Sequence, residues 1–349
     1  MRGIFLLLLP LLLFSGCREP NQPEEIQRVE EYASNGIFVL NEGVMNYNNS
    51  TLTQYNITEN ILTEDIFLAM NNRGLGDTGN DLKLYGSKLY CVVNISSTIE
   101  VMDKNAHSLK QISLAGKQPR HIDFYLNYAY VSCFDGSVLR IDTATLEVDA
   151  TAQAGLNPDG LCVANGKLYV ANSGGLSSPN YDNSVSVFSL PDLSLLKTIP
   201  VVINPTKVLA DSYGDVYVMS NGNYNDIPTT FQRVNTLTDE VVQVFDFPVS
   251  NFTIYNDLCY LYSYNYSTQE SAFKVLNVET ETVLKESFIA DGTSITIPYC
   301  IAVNPDNGDV YITDARNYTV SGAVYCFDPD GYKRFSFNAG INPSSIVFY

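Results

Sequence analysis

The sequence predicts an all-β fold, a seven-bladed β-propeller in which each blade has four strands. A strand-like motif with an aromatic residue at its centre occurs seven times, at intervals of roughly 40 to 50 residues, the length of one propeller blade. Apolar and polar residues alternate along these segments, and no stretch between them has helical periodicity. The central aromatic residues are Phe38, Tyr90, Tyr130, Tyr169, Tyr217, Tyr260 and Tyr311.

The other strands of each repeat are recognised from their ends. One strand follows each motif and finishes on Asp, Asn or Ser, whose side chains bond to nearby backbone and start tight turns. A further strand, such as Leu195–Ile199, completes the unit. A strand that begins with proline precedes most motifs, and we assign it to the inside of the ring. These inner strands begin at Pro119, Pro158, Pro205, Pro298 and Pro343.

We place the propeller at residues 36–349, with one blade built from both ends of the range. The last segment, Ser344–Phe348, matches an inner strand, while the repeat is entered at Gly36 on a second strand. The C-terminal strand is therefore expected to complete a blade whose other three strands come from the N-terminal side. Such closure removes a free sheet edge and ties the ring together.

The N-terminal segment predicts export and lipid attachment. Residues 1–17 combine a positive start, an apolar run too short to span a bilayer, and Phe14-Ser-Gly-Cys17, which matches a lipobox. We expect the mature chain to begin at a lipidated Cys17, because several acyl chains on one cysteine anchor a protein stably. Residues 18–35 are polar and acidic, which predicts a flexible tether.

The composition argues against several functional classes. With 20 Lys and Arg against 38 Asp and Glu, the formal net charge is -18, so the surface repels the phosphates of nucleic acids. The only histidines are His107 and His121, and we predict no bound cofactor. The sequence contains no nucleophile elbow, phosphate loop or zinc-protease signature. Six cysteines besides Cys17 fall within apolar strands, which favours free, buried thiols.

One end of the ring differs from the other in its loops. The connections from strand two to strand three, and from each blade to the next, share one end, and here they are long and varied. Five of them place Asn beside Tyr, which predicts a site for a large, uncharged ligand, because tyrosine offers broad contact and asparagine adaptable hydrogen bonds. Both residues are also common in turns, so a purely structural role is the alternative. The candidates are Asn46, Tyr47, Asn48, Asn180, Tyr181, Asn183, Asn223, Tyr224, Asn225, Tyr264, Asn265, Tyr266, Arg316, Asn317 and Tyr318.

The repeat resembles a known propeller family. Tyr169-Val-Ala-Asn172, within Gly166–Asn172, is similar to the YVTN repeat of YncE-type seven-bladed propellers, and the resemblance covers residues 36–349. With its lipobox, acidity and length, the chain also resembles the BtuG-type surface lipoproteins of Bacteroidetes, which hold cobalamin and cap a TonB-dependent vitamin B12 transporter. This resemblance implies a lipid-anchored protein of the outer membrane, exposed at the cell surface, that passes a corrinoid to such a transporter.

Polar residues near the starts of inner strands are candidates for the mouth of the central channel. Arg120 and His121 directly follow an inner-strand proline, and His121 is expected either to be a hydrogen-bonded residue near the axis or to ligate the cobalt of a corrinoid. Asp123, Asp159 and Asp314 could line the same mouth and hold Ca²⁺, but the spacing of a dedicated calcium loop is missing. We therefore predict no metal site.

Three functional classes follow. Our first interpretation is a binding lipoprotein, not an enzyme, whose ligand is a corrinoid, since a flat macrocycle rimmed with amides suits loops rich in Asn and Tyr. A glycan or a protein partner fits the same face, because sugars also stack on tyrosine and bond to asparagine. The third class is a lactonase or lyase that uses axial carboxylates and His121.

Overall fold

The computed structural model describes residues 36–349, which form seven four-stranded antiparallel sheets. The predicted all-β, seven-bladed propeller is therefore confirmed. We number the blades in chain order, and blade 1 is the one that contains both ends of this range. The predicted signal segment 1–17 and tether 18–35 lie outside the described residues.

The strands are numbered in chain order, and in every blade they are hydrogen-bonded from the axis outward. Blade 1 contains β28 Pro343–Phe348, β1 Gly36–Asn41, β2 Thr51–Asn56 and β3 Ile61–Thr63. Blades 2 and 3 contain β4 Gly79–Tyr85, β5 Lys88–Val93, β6 Thr98–Asp103, β7 Ser108–Ser113, β8 Pro119–Tyr125, β9 Tyr128–Cys133, β10 Ser137–Asp142 and β11 Val148–Gln153.

Blades 4 to 7 repeat the same order. Blades 4 and 5 contain β12 Pro158–Ala164, β13 Lys167–Asn172, β14 Ser184–Ser189, β15 Leu195–Pro200, β16 Pro205–Ala210, β17 Asp215–Ser220, β18 Thr230–Asn235 and β19 Glu240–Val244. Blades 6 and 7 contain β20 Asn251–Tyr255, β21 Leu258–Asn265, β22 Glu270–Asn277, β23 Thr282–Lys285, β24 Pro298–Val303, β25 Val310–Asp314, β26 Ser321–Phe327 and β27 Lys333–Ile341.

A short helix between blades 1 and 2 corrects the expectation that no helix interrupts the strands. Helix α1 spans Ile66–Asn71, and the Asp65 side chain caps its N-terminus by accepting a hydrogen bond from the backbone N–H of Leu68 at 3.1 Å. The helix buries the side chains of its first two residues, Ile66 and Phe67. The sequence pattern missed this helix because six residues are fewer than two turns and show no clear periodicity.

The predicted closure of the ring is confirmed in blade 1. Strand β28 pairs antiparallel with β1, and Ile37 faces Phe348 in the register. Next to this ladder, the ring of Tyr349 stacks on Phe38 with their centroids 4.5 Å apart. The first and last strands of the described range are therefore held by both backbone hydrogen bonds and aromatic packing.

The repeated aromatic residues form the packing between the blades. All seven are buried, and several tyrosine hydroxyls reach the neighbouring blade. Tyr169 donates a hydrogen bond to Asp239 Oδ1 at 2.6 Å, and Tyr217 donates one to Glu281 Oε1 at 2.8 Å. The aromatic ring thus fills the space between two sheets, while its hydroxyl group fixes their spacing.

The inner strands are linked directly to one another around the channel. Asp81 accepts a hydrogen bond from the backbone N–H of Ile122 at 3.1 Å, and Asp123 accepts one from Val163 at 2.9 Å. Each bond crosses from one blade to the next. The prolines that were predicted to begin inner strands do so, and the pairing shifts just after Pro119 and Pro158, where a residue without an N–H is tolerated.

The two ends of the ring carry different loops, as expected. Connections between the first two strands of a blade are short, for example Gly86–Ser87 and Asn256–Asp257, whereas residues 42–50, 173–183 and 221–229 form long loops at the opposite end. We call this second end the long-loop face. The long loop expected around Tyr264, Asn265 and Tyr266 is wrong: this segment is a hairpin, because β21 and β22 extend beyond the strands of the other blades and leave only a turn at 266–269.

We expect deletion of residues 344–349 to destabilise the whole ring instead of fraying one edge. The deletion leaves the inner edge of β1 without a partner strand and removes the buried side chains Ile346 and Val347, whose burial contributes roughly 3–6 kcal/mol. Thermal unfolding followed by circular dichroism measures the effect. Val244→Ala, on an exposed outer strand, is the control and should melt like the wild type. An unchanged melting temperature after the deletion would refute the role of closure.

Candidate binding site

The mouth of the central channel opens into a cavity of about 450 Å³ on the long-loop face, which we call the mouth cavity. It contains four of the predicted site residues, namely Arg120, His121, Tyr181 and Tyr224. Most of the other residues that line this cavity were not among the predicted ligand-binding candidates. Those used below are Glu42, Asn80, Asp159, Thr206, Lys207, Asn251, Tyr299 and Ser344.

A single structural position supplies the mouth cavity with one residue from every blade. Each lies at or next to the first residue of an inner strand, and the inner strands all start at the same end of the ring. Arg120 is one of them, and the same signal, the residue after the inner-strand proline, would have identified four others. The seven residues are Asn80, Arg120, Asp159, Thr206, Asn251, Tyr299 and Ser344.

A groove of about 1010 Å³ adjoins the mouth cavity over blades 5 and 6. Tyr224 and Ser250 line both spaces, so the two are continuous. The predicted residues Asn225, Tyr264, Asn265 and Tyr266 line the groove, together with Pro228 and Pro248.

Tyrosines of four neighbouring blades form two contacting groups, which we together call the tyrosine arc: Tyr181 with Tyr224, and Tyr264 with Tyr266, Tyr318 and Tyr299. The groove links the two groups, since Tyr224, Tyr264 and Tyr266 all line it. Ring centroids are 6.1 Å apart for Tyr181 and Tyr224, and 4.9 Å apart for Tyr264 and Tyr266, in both cases edge to face. The hydroxyl groups of Tyr266 and Tyr318 lie 3.3 Å apart, and the Tyr318 ring lies 6.0 Å from that of Tyr299. The arc brings together five predicted tyrosines and Tyr299.

The predicted asparagines mostly hold the loops in shape. Asn223 Oδ1 accepts hydrogen bonds from two backbone N–H groups of its own loop, at 3.0 and 2.8 Å. Asn265 and Asn317 cap their turns in the same way. These bonds match the structural alternative for asparagine, whereas Tyr224, Tyr264 and Tyr266 line the cavities.

Other predicted residues lie outside the tyrosine arc. Asn46 and Asn48 donate their backbone N–H groups to the Asp77 carboxylate, and Tyr47 between them is 73% exposed. Arg316 donates a hydrogen bond to Asn338 Oδ1 at 3.2 Å and lines a separate cavity between blades 7 and 1.

Two predicted residues of the blade 4 loop belong to its turns. Asn180 donates its backbone N–H to the Ser177 carbonyl at 2.7 Å. Asn183 donates its backbone N–H to Asp182 Oδ1 at 2.7 Å, just before β14 begins. Neither residue lines the mouth cavity or the groove.

Charged side chains form the floor of the mouth cavity. Arg120 Nε lies 3.0 Å from Asp159 Oδ1, and its guanidinium group stacks over the Phe134 ring. His121 lies between two carboxylates, with Nδ1 3.4 Å from Asp81 and Nε2 3.4 Å from Asp159. Of the two alternatives for His121, this geometry matches a paired polar residue near the axis.

The pKa values of this group reflect the competition between burial and ion pairing. Burial lowers the pKa of His121, but the hydrogen bonds to Asp159 and Asp81 outweigh it and raise the pKa above 6.5. Burial raises the pKa of Asp81, but the hydrogen bond with His121 and the charge of Lys83 lower it to about 2. The cluster is thus most stable with a cationic imidazole between two carboxylates.

Glu42 and Tyr299 form a second polar pair at the mouth. The Tyr299 hydroxyl donates a hydrogen bond to Glu42 Oε2 at 2.7 Å. Burial raises the pKa of the Glu42 carboxyl group despite this bond, and burial also raises the pKa of Tyr299. The Glu42 carboxyl group therefore keeps its proton to a higher pH than a free glutamate does.

The three axial aspartates do not converge. Asp314 accepts backbone hydrogen bonds from Thr296 and Ile297 at 3.0 and 2.9 Å, and Asp123 bonds to the neighbouring inner strand. Only Asp159 of the three lines the mouth cavity. Within residues 36–349, no group of three or more His, Cys, Asp or Glu side chains is arranged to hold a metal ion.

Each cysteine within residues 36–349 lies in the protein interior. Cys91, Cys133, Cys162, Cys259, Cys300 and Cys326 are free and buried, as predicted. Burial raises the pKa of the Cys91 thiol well above its usual range, which makes it a weak nucleophile. No helix between residues 36 and 349 has the length and apolar character needed to cross a bilayer.

Comparison with known proteins places the chain in a family. A family described as a domain of unknown function, DUF5074, matches residues 35–348. The chain belongs to this DUF5074 family. No curated protein sequence matches it.

Solved structures similar to this DUF5074 protein share its fold at low sequence identity. Hydrazine synthase of Kuenenia stuttgartiensis has a TM-score of 0.64 at 14% identity, over 76% of this chain and 88% of the other. A quinoprotein alcohol dehydrogenase-like protein of Bacteroides thetaiotaomicron has a TM-score of 0.64 at 16% identity, over 90% and 78%. The computationally designed protein Ika8 has a TM-score of 0.57 at 14% identity, over 92% of both chains. These likenesses support the propeller architecture only.

We expect the contribution of His121 to stability to depend on pH. Since its folded pKa is raised, its ion pairs stabilise the protein fully below about pH 6.5 and are lost as the pH rises through the folded value. His121→Gln should therefore lower the free energy of unfolding by about 1.5–3 kcal/mol under mildly acidic conditions and by less at alkaline pH. Melting temperatures of both proteins across this range provide the test.

His107→Gln is the matched control for this experiment. His107 faces Asp103 at 3.3 Å in an exposed turn, where such a pair contributes little. Its effect on the melting temperature should be small at every pH. If the destabilisation by His121→Gln is equally large at acidic and alkaline pH, the assigned ion pairs are wrong.

Proposed function

We propose that this DUF5074 propeller is a binding protein that captures a large, mainly uncharged small molecule on its long-loop face. The tyrosine arc is the observation that supports this best. It exposes aromatic surface along a continuous cavity and groove, and Tyr224 and Tyr266 are 70% and 71% exposed. Each aromatic contact with a flat ligand contributes about 0.5–1.5 kcal/mol beyond burial, so several together support tight binding.

We propose a corrinoid as the ligand. A corrinoid is larger than the 450 Å³ of the mouth cavity, and it would extend from there into the 1010 Å³ groove. Its macrocycle would lie against the tyrosine arc, and its rim of amides would meet the polar residues at the starts of the inner strands. The resemblance to corrinoid-capture lipoproteins supports the same choice.

We also propose that the protein works at the cell surface. Lipidation of Cys17 would anchor it in the outer membrane, and the acidic tether 18–35 would hold the propeller away from the bilayer. In this arrangement the long-loop face would pass its ligand to a TonB-dependent transporter. Exposed apolar side chains on that face, including Met45, Tyr47 and Leu176, would suit such a partner.

A glycan-binding role is the second candidate. A polar cavity of about 450 Å³ between blades 7 and 1 favours it, since its lining is rich in the hydroxyl, amide and carboxylate groups that bind sugars. The lining includes Asn49, Thr51, Thr53, Asp65 and Asn338. A lactonase or lyase has less support, because both ring nitrogens of His121 face carboxylates.

We expect cyanocobalamin to remain with the protein through gel filtration, which visible absorbance detects directly. Replacing Tyr181, Tyr224 and Tyr266 together with alanine should abolish this binding, because the triple variant removes aromatic surface from three blades. The melting temperature should change little, since these side chains lie at the surface of the loops. Colourless wild-type protein would reject the corrinoid and leave the glycan candidate.

Tyr332→Ala is the matched control for the triple variant. Tyr332 is 55% exposed in the turn between β26 and β27, at the end of the ring opposite the long-loop face. Its loss should leave cyanocobalamin binding unchanged. Unaltered affinity in the triple tyrosine variant would remove the tyrosine arc from the proposal.

We expect Cys17→Ser to release the protein from the membrane fraction, because serine cannot carry the thioether-linked lipid of a lipobox cysteine. Cell fractionation and immunoblotting measure the distribution, and Cys91→Ser, which alters a buried cysteine of the propeller, is the control. Membrane association that persists in the Cys17→Ser variant would contradict the anchor.

A further inference from the structure

Lys207 is a cation of the mouth cavity whose charge is not matched. It lies in the inner strand β16 of blade 5, is half-buried, and lines both the mouth cavity and the channel below it. Its ammonium group donates one hydrogen bond, to Asn251 Oδ1 at 2.7 Å, and lies 5.5 Å from the centre of the Phe252 ring. Within the described range it has no carboxylate partner, although an ammonium group has three protons to donate.

The other cations near the axis differ from Lys207 in this respect. Arg120 and His121 share the carboxylate of Asp159, as described above. Burial lowers the pKa of Lys83, but the charges of Asp81 and Asp123 outweigh it and raise the pKa. The pKa of Lys207 is instead lowered, because burial, together with the charge of Lys83, outweighs the opposing charge of Asp81. A half-buried ammonium group with no carboxylate in contact is costly, which indicates a group available to a ligand.

A second unmatched donor lies beside it in the chain. The Thr206 residue lines the same cavity, and its buried hydroxyl oxygen has no hydrogen-bond partner among residues 36–349. Unpaired buried hydroxyl groups are uncommon because each loses its hydrogen bonds to water. An ammonium and a hydroxyl group together are donors suited to an oxyanion.

The negative groups of the mouth cavity do not prevent an oxyanion from binding near Lys207. Asp159 is paired with Arg120 and His121, and burial raises the pKa of Glu42, which accepts the hydrogen bond of Tyr299. The net charge of -18 is spread over the whole chain and is screened beyond about 10 Å at moderate salt. Local donors therefore decide which ligand group can lie at this position.

We propose that Lys207 and Thr206 bind an oxyanion carried by the ligand, a carboxylate or a phosphate ester, while the tyrosine arc contacts its uncharged body. This inference deepens the proposed function and rests on it. It narrows the ligand class from uncharged molecules to flat or bulky molecules with one acidic group. Lys207 is then a specificity-determining residue, because a ligand without the anion leaves its charge unmatched.

The test compares three small aromatic probes on the full chain by isothermal titration calorimetry. Benzoate and phenyl phosphate carry the two kinds of oxyanion, and benzamide is an uncharged analogue of benzoate. We expect at least one anion to bind about tenfold or more tightly than benzamide, with a preference that weakens as salt is added. Comparison of the affinities of benzoate and phenyl phosphate shows whether the site prefers a carboxylate or a phosphate.

Substitutions at Lys207 and Thr206 test whether these two residues cause the preference for an anion. Lys207→Met keeps the packing on Phe252 but removes the charge, and should abolish the preference for the anion; Lys207→Arg should retain most of it. Thr206→Val should weaken anion binding by a few-fold. Lys285→Met is the matched control, because Lys285 also has one carbonyl partner and lies 5.8 Å from a phenylalanine ring, but on an outer strand.

Corrinoids separate this inference from the proposed function. Cyanocobalamin contains a phosphodiester, and cobinamide has the same macrocycle without that nucleotide. We expect Lys207→Met to weaken the binding of cyanocobalamin about tenfold and to leave the binding of cobinamide unchanged. Anion preference without any corrinoid binding would reject the corrinoid and keep the inference. Wild-type protein that binds benzamide as tightly as both anions would overturn the inference, whatever its affinity for corrinoids.

Discussion

A four-stranded blade has two apolar faces and cannot bury either of them by itself. Each blade therefore depends on its two neighbours, and seven blades satisfy this requirement only as a closed ring. The pairing of β28 with β1 closes that ring with backbone hydrogen bonds inside a single sheet. Buried aromatic residues between the sheets, such as Tyr169 and Tyr217, then fix the blade spacing through their rings and hydroxyl groups.

Closure also determines where polar residues meet. All seven inner strands begin at the same end of the ring, so their first residues converge on the axis although they lie far apart in the chain. Most charges brought together there are matched, as Arg120 and His121 are by Asp159. Lys207 and the Thr206 hydroxyl group are not, and this difference gives the mouth cavity its chemical selectivity in our proposal.

In the loops of the same end, asparagine and tyrosine have different structural roles. Asparagines such as Asn223 and Asn317 bond to the backbone of their own loops and keep them in place. The tyrosines beside them form two contacting groups over four blades, which the groove links. A rigid ring with polar turns thus presents exposed aromatic groups without collapse of the loops, which is a suitable arrangement for a large, flat ligand.

The sequence by itself determined the strand repeat, the blade number, the closure and the burial of the aromatic residues, because these depend on local alternation and on spacing along the chain. It also indicated which end carries the long loops. It did not reveal helix α1, because six residues are too few to show a helical pattern. It also did not reveal the extension of β21 and β22. Only the tertiary structure decided which side chains meet at the mouth, and which of them lack a partner. Matching of charges depends on distances between blades, and the order of residues in a chain does not contain those distances.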